Sequence, residues 1–596
     1  MLVHRNAVTA LLVTASLGFA NAAWGASTVK GNAACPGEEV YYDPGNGEDI
    51  AVPEGYKVEV FARDLNFPTG LAFIGDENDF KVLVIESGTG LPSRCNDNSR
   101  PPFMKFSADN PFTPDLLVFD KDGNKIAGPL FKPTPSGGGF QSEGPAIGLA
   151  FERALAGGRL FASDSNQGIR GARGKGNNTS RILTLDLAAG VAHPYILGLP
   201  TGDHPTELIV VKDGYLYWSQ GSATNAGITG HDNGAGGNQH DIACQQIKLS
   251  QNVWSSGDHF TSGYSNHGDV RKGATVNAFE DATEPGMCTG AILRSRITDG
   301  HPKVEPFSWG YRNPFGLRFA PKDHALQGKL FVTENGEDER GARPTNFAPD
   351  RLAVAQLNPD GTPDYHGWPD RFGFLDSTQA IFNPRGGPGD DLPTALVLAM
   401  DVPVRPVLDH FPQPPVAPLA IEPADVAVVG LDFAPDSFAS GVVKKGAVLI
   451  SREGDFGFSK GNGEPEEGHD IQLVNFSKPG EPLQLTGLER FAFNCKKADQ
   501  FHSPGGHAAC HNPQDQAFTE KIHAINRPLQ NLFGPDGALY LVDYGAVRDF
   551  GQSDSRSSFT NPADAPLLQI PGTGTIFKIT RIGGGGGEGD DSNHDD

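Results

Sequence analysis

Apolar residues recur along this chain in short paired runs, each pair split by a turn. The stretch "NPFGLRFAPKDHALQGKLFVTENG" is typical: an apolar run, a Pro/Asp-rich turn, a β-branched and aromatic run, then an acid and an amide before Gly336. Related stretches begin at Phe67 ("FPTGLAFIGDENDFKVLVIESG"), Gly144, His204 ("HPTELIVVKDGYLYWSQG"), Val428 and Arg527 ("RPLQNLFGPDGALYLVDYG"). Each pair predicts a β-hairpin. Six similar hairpins at irregular intervals, with loops inserted between them, predict an all-β, six-bladed β-propeller with long inserted loops. Shorter, more regular repeats would indicate a β-helix, and a two-sheet sandwich would not repeat one hairpin six times. "YKVEVFA" at 56–62 and "GTIFKITRI" at 574–582 alternate apolar and polar residues, so they are expected to share one blade and close the ring.

This geometry sorts the polar residues. The first strand of a blade is innermost, and a hairpin returns the second strand to the end where the first began. Residues just before strand one and just after strand two therefore share one axial funnel. Before strand one stand Phe67, Gly144, His204, Arg312, Asn313 and Arg527; after strand two stand Glu86, Asp164, Gln220, Glu334, Asn335, Arg452, Glu453 and Asp543. One imidazole, several guanidinium groups and many oxygens suit an anionic, planar ligand with a hard cation. His204 could serve as a general base. Plainer readings stand beside these: His204 as a turn residue, Arg312 and Arg527 as blade-to-blade ion pairs, Glu334 and Asp543 as turn caps.

Composition narrows the partners. The chain has 596 residues, 38% of them hydrophobic, with Gly 76 and Pro 47, which favours turns over long helices. A net charge of -24 argues against nucleic acid and anionic membrane surfaces. The first 26 residues, with His4 and Arg5 ahead of an apolar run and Ala20-Asn21-Ala22 behind it, read as an export signal, which places the protein in the periplasm or outside the cell with no membrane insertion. Six cysteines in an exported chain suggest three disulfides, with neighbours along the chain as the simplest pairing and the connectivity left open. The propeller is expected over 27–582 as a single domain, with a large polar insertion at about 221–288 acting as a lid or a docking surface. Residues 583–596, "GGGGGEGDDSNHDD", read as a flexible tail.

Four islands carry a family resemblance: "VPEGYKVEVFARDLNFPTGLAF", "GYRNPFGL", "VTENGEDERG" with the later "DRLAVAQLNPDGTPDYHGWP", and "INRPLQNLFGPDGALYLVDYG". Together they resemble the soluble quinoprotein glucose/sorbosone dehydrogenase family, six-bladed propellers that hold pyrroloquinoline quinone (PQQ) and Ca²⁺ over the axis and oxidise sugars. The resemblance runs in islands from about 52 to 582. It implies His204 as the base that takes the sugar hydroxyl proton, and Arg312, Asn313 and Arg527 as quinone contacts. It also implies Trp368 at the substrate mouth, although a packed core indole is an equal reading. Arg452, with Lys460 as second choice, stands nearest to the family's blade-five lysine. Gly336 and Glu337, through their carbonyls, and Glu334 would form the metal site. Where the family commonly has Gly-Pro, this chain has Gly336-Glu337, and the segment 338–350 is long and differently composed. The implied activity is oxidation of a sugar or related alcohol or aldehyde, with a separate electron acceptor. The alternatives are a non-catalytic propeller that binds a glycan or protein partner, and a Ca²⁺-dependent lactonase.

Overall fold

The structure, a computed structural model, describes residues 28–582 apart from 33–34, 89–109, 135–137, 143, 154–157, 167–178, 231–239, 257–258, 339–341, 344–347, 373–374, 377–404, 425, 455–467, 496–520, 523 and 550–566. The expected export signal, the C-terminal tail and Lys460 lie outside the described residues.

Six antiparallel sheets form the blades. Blade 1 comprises Pro68–Gly75, Phe80–Glu86, Asp115–Asp120 and Lys125–Leu130. Blade 2 comprises Ala146–Glu152, Arg159–Asp164, Ser180–Asp186 and Val191–Leu199. Blade 3 comprises Thr206–Lys212, Tyr215–Gln220, Ala291–Arg296 and Val304–Trp309, and blade 4 comprises Asn313–Phe319, Leu330–Asn335, Pro349–Ala355 and Ala420–Ala424. Blade 5 comprises Val428–Phe433, Val448–Arg452, Asp470–Phe476 and Leu485–Asn494. Blade 6 takes Pro528–Phe533, Leu539–Asp543 and Gly574–Arg581 from the C-terminal part, and its outermost strand, Tyr56–Leu65, from the N-terminal part. Phe577 pairs with Val60 and Ile579 with Val58, so the two alternating segments close the ring as their pattern predicts.

The repeated Gly-Leu-x-Phe motif has a steric cause. First strands of successive blades pack side by side, from blade 1 round to blade 6 and back. A Cβ on Gly70 would lie 2.1 Å from the carbonyl oxygen of Ile147, and one on Gly316 would lie 2.2 Å from that of Val429. Glycine is required there because the backbones touch. Buried hydroxyls stitch the same seams: Ser163 donates to the Glu207 carbonyl at 2.7 Å, Ser219 to that of Phe315 at 3.0 Å, and Thr333 to that of Val429. At the closing seam Tyr540 packs edge-on against Phe61 and Phe73, each at 5.1 Å. Pairs of this kind contribute about 0.5–1.5 kcal/mol beyond area burial.

The insertion differs from the polar loop expected. Ile242, Trp254, Tyr264 and Val276 join a buried cluster with Trp309, Tyr365 and Trp368 of blade 3 and its neighbouring loop. Its strands are two or three residues long, too short to show a period in the sequence. A Cys244–Cys288 disulfide closes it. Cys495 is disulfide-bonded too, and no described cysteine is free. Among the described residues no helix is long and apolar enough to cross a membrane.

Candidate active site

One end of the ring collects the residues that precede strand one, but the residues ending strand two divide into two sets. Glu86, Asp164, Gln220, Glu334 and Asp543 turn back into their own blades. Glu334 Oε1 accepts the Arg312 backbone N–H at 2.7 Å, and Oε2 accepts from Arg351. Asp543 accepts N–H groups of Asn526, Arg527 (3.0 Å) and Gly545 (2.9 Å), while Asp164 holds Gln141 N–H at 3.0 Å and Arg181 at 2.6 Å. Burial pushes the Asp164 and Asp543 carboxyls up to about 6 against these donors. Such residues fix the backbone leading into strand one. The next residue of each blade is Ser87, Ser165, Gly221, Asn335, Glu453 or Tyr544; of these, Asn335 reaches the Val428 carbonyl at the start of blade 5 at 2.7 Å, and Ser165 bonds Ser180 of its own blade at 2.8 Å.

His204 stands at this end of the ring, partly buried. Its backbone N–H donates to the Ser222 carbonyl at 3.0 Å. Its Nδ1 lies 3.4 Å from Ser222 Oγ and 3.8 Å from Asp203 Oδ2, so the ring edge carrying Nε2 is turned away from that pair. Gly221 packs directly beneath: a Cβ there would lie 2.2 Å from His204 Cβ.

In the next blade the guanidinium of Arg312 is buried. Nε donates to Asn225 Oδ1 at 3.1 Å, and Nη2 pairs with Asp338 at 2.6 Å. Asn225 belongs to the insertion, so that segment braces the funnel. Asn313 Nδ2 donates to Asn335 at 2.8 Å, whereas Asn313 Oδ1 is buried with no donor in reach among the described residues. Arg527, 3% exposed, donates from Nη1 to the Gly454 carbonyl at 2.8 Å.

Two carboxylates complete the set. Glu207, 2% exposed on the innermost strand of blade 3, is held well above the usual carboxylate range by burial and the charge of Glu453, with Arg312 opposing. Burial raises Glu453 to about 7, with Arg527 opposing and Asp543 assisting. Groups from blades 3, 4, 5 and 6 therefore share one electrostatic environment. Beneath it Ile147, Leu208, Phe315, Val429 and Leu529, one from each of five innermost strands, join Phe67 and Tyr544 in a buried apolar floor.

Other candidates point elsewhere. Arg452 makes paired contacts with Asp470 at 2.6 and 2.7 Å and reaches Glu422 of blade 4 at 3.3 Å, an ion-pair network between blades. Trp368, 2% exposed, packs on Tyr264 in the core of the insertion, and its Nε1 has no described partner. Gly336 N–H donates to Asp350 at 2.6 Å, and the Glu337 side chain turns towards Arg343, 4.0 Å away. Among the described residues no three His, Cys, Asp or Glu side chains form a metal-binding group. Glu207 is absent from the sequence-derived candidates. Its one signal is a carboxylate inside the apolar run "TELIVV".

No protein-family model matches the chain, and no curated protein matches it. Solved structures give remote likenesses. A structure titled a putative oxidoreductase (glucose dehydrogenase) from Thermus thermophilus is 14% identical, with 88% of this chain and 100% of that chain covered and a TM-score of 0.42. A calcium structure of a carbohydrate-active enzyme of family AA12 from Trichoderma reesei is 15% identical over 90% and 97%, with a TM-score of 0.45. The soluble aldose sugar dehydrogenase of Escherichia coli, in its apo form, is 14% identical over 88% and 99%, with a TM-score of 0.43. The likeness is one of architecture, and the chemistry of the funnel rests on this chain's own residues.

Proposed function

We propose that this protein is an exported sugar oxidoreductase that uses PQQ and Ca²⁺ in the axial funnel. One observation supports the reading: His204, the buried Arg312 and Arg527 and the buried Asn313 amide all stand at the starts of first strands, at one end of the ring. The donor set suits the quinone. Arg312 and Arg527 would face its carboxylates, and the Asn313 amide, with an oxygen still open, would contact its edge. When bound, PQQ supplies the two-electron acceptor for a hydride. The carbonyls of Gly336 and Glu337 would hold Ca²⁺, and Glu334 would set their register through its grip on Arg312 and Arg351.

The chain's own groups do the rest. Ser222 and Asp203 orient His204, so Nε2 takes the proton from the sugar hydroxyl as the hydride leaves the same carbon. The apolar floor keeps water from the reacting atoms and strengthens each charge above it. Electrons would leave to a separate acceptor. The test is to mix the purified protein with PQQ, Ca²⁺, an artificial acceptor and a panel of aldoses. Acceptor reduction is expected; no reduction together with an unchanged quinone spectrum refutes the proposal. Stabilisation against heat by glycans but not by PQQ would favour a binding propeller instead.

A further inference from the structure

One cavity lies away from the funnel. Its volume is about 730 Å³, within the range of small-molecule pockets. Residues 60–66, most of them in the outermost strand of blade 6, form one wall, and the two outer strands of blade 1 form the other. Among the described residues that border it, none is His204, Arg312, Asn313 or Arg527.

Two buried atoms on its border stand open. Asn110 is 2% exposed, and its Oδ1 accepts the Phe112 N–H at 2.9 Å. That leaves the Nδ2 donor with no partner among the described residues. Asp115 is 5% exposed; its Oδ2 lies 3.8 Å from Lys132 Nζ, and its Oδ1 has no partner among the described residues. Glu86 stands directly opposite Asp115 in the pairing of strands two and three of blade 1, which sets their Cβ atoms about 4.5–5.5 Å apart. A buried donor and a buried acceptor left unmet in one cavity are costly. One water fills only about 30 Å³, so the space is built for something larger. Phe61 and Phe119, edge to face at 6.0 Å, give it an apolar wall.

Charge and shape select the ligand. Arg63, Lys125 and Lys132 border the cavity, against Asp64, Glu86, Asp115 and Asp122. Burial and the charge of Glu86 hold the Asp115 carboxyl well above the usual range, so the pair keeps a proton more readily than two separate acids would. The border is therefore close to neutral, which disfavours a strongly charged ligand. A sugar meets the remaining demands: its neighbouring hydroxyls each donate and accept, and its ring carries an apolar C–H face.

We infer that this seam cavity binds a neutral saccharide. The Asn110 amide donates to one hydroxyl, the Glu86 and Asp115 carboxyls accept from another, and Phe61 and Phe119 cover the apolar ring face. The site needs neither quinone nor metal and stands independently of the proposed function.

The full chain, with no quinone added, is titrated by calorimetry with glucose, maltose and cellobiose. At least one of the three is expected to bind saturably. Asn110→Asp keeps the bond to Phe112 and exchanges the open donor for an oxygen, so affinity should fall at least about 10-fold. Lys125→Trp sets a bulky ring at an exposed position on the same border and should weaken binding by a similar factor. Should Asn110→Asp fail to fold, Lys125→Trp carries the test alone. No saturable binding of any of the three sugars overturns the inference. Full affinity in both variants also overturns it, since the sugar then sits elsewhere. Seam binding without sugar oxidation would sink the quinone proposal alone; sugar oxidation without seam binding would sink this one alone.

Discussion

Replacing Gly221 with alanine should move the imidazole of His204 without touching any ligand. The added Cβ would stand 2.2 Å from His204 Cβ. Carbon atoms in contact prefer about 3.5–4.0 Å, so one of the two backbones must yield by roughly 1.3 Å or more. Gly221 is fixed from both sides, its N–H donating to the Pro205 carbonyl and its carbonyl accepting from Gly290. His204, at the rim, is the freer partner. Overpacking of this kind costs about 1–3 kcal/mol of stability, and a displacement near 1 Å at a reacting centre costs about 100-fold in turnover. We therefore expect Gly221→Ala to fold with a lowered urea midpoint, to bind PQQ nearly as the wild type does, and to lose about 100-fold in kcat. The control is Gly441→Ala, where an added Cβ meets nothing within 4 Å. The assays are urea unfolding, quinone titration by fluorescence and turnover with an artificial acceptor. Turnover within about threefold of wild type, in a variant that carries the expected stability loss, would refute the role given to His204.

Other predictions concern the scaffold. His324 is ringed by Phe331, Phe433 and Phe476, and burial lowers its pKa to about 4. Its neutral form is favoured in the folded state, so its contribution is complete above the unfolded value near 6.5 and is lost as pH falls towards 4. A shift of about 2.5 units bounds the loss near 3 kcal/mol, or about 1–3 kcal/mol with solvent screening. His324→Phe should flatten the fall in urea midpoint between pH 7 and pH 4, and an unchanged slope would contradict this. Thr333→Val strands the Val429 carbonyl and the Gly316 N–H that Thr333 serves. A loss of about 2–4 kcal/mol is expected in urea unfolding, and a neutral outcome would remove that hydroxyl from the seam. Arg452→Met should cost about 1–3 kcal/mol, because it removes one cation from Asp470 and Glu422 while Arg490 and Gln472 stay on them. A change in quinone affinity with stability intact would return Arg452 to the binding site.

The ring was legible because one hairpin recurs. Gly-Leu-x-Phe marks where innermost backbones touch, and the alternation in 56–62 and 574–582 announces the closing blade. Acids at the ends of the second strands were harder to assign. Glu334 and Asp543 have the right position for a funnel, but their carboxylates cap the backbone that leads into their own blades. Glu207 was hidden because a lone carboxylate in an apolar strand carries no period of its own. The insertion reads as polar in sequence because its buried members are scattered single residues such as Trp254 and Tyr264, which meet only through tertiary packing.

The most direct test of the central claim follows bound quinone by absorbance while a sugar substrate is added without any acceptor, in the wild type and in His204→Ala. The account predicts that both proteins bind PQQ in the presence of Ca²⁺, and that sugar changes the quinone spectrum only where His204 is present. Failure of the wild-type chain to bind PQQ, or an equally fast spectral change in His204→Ala, would contradict it.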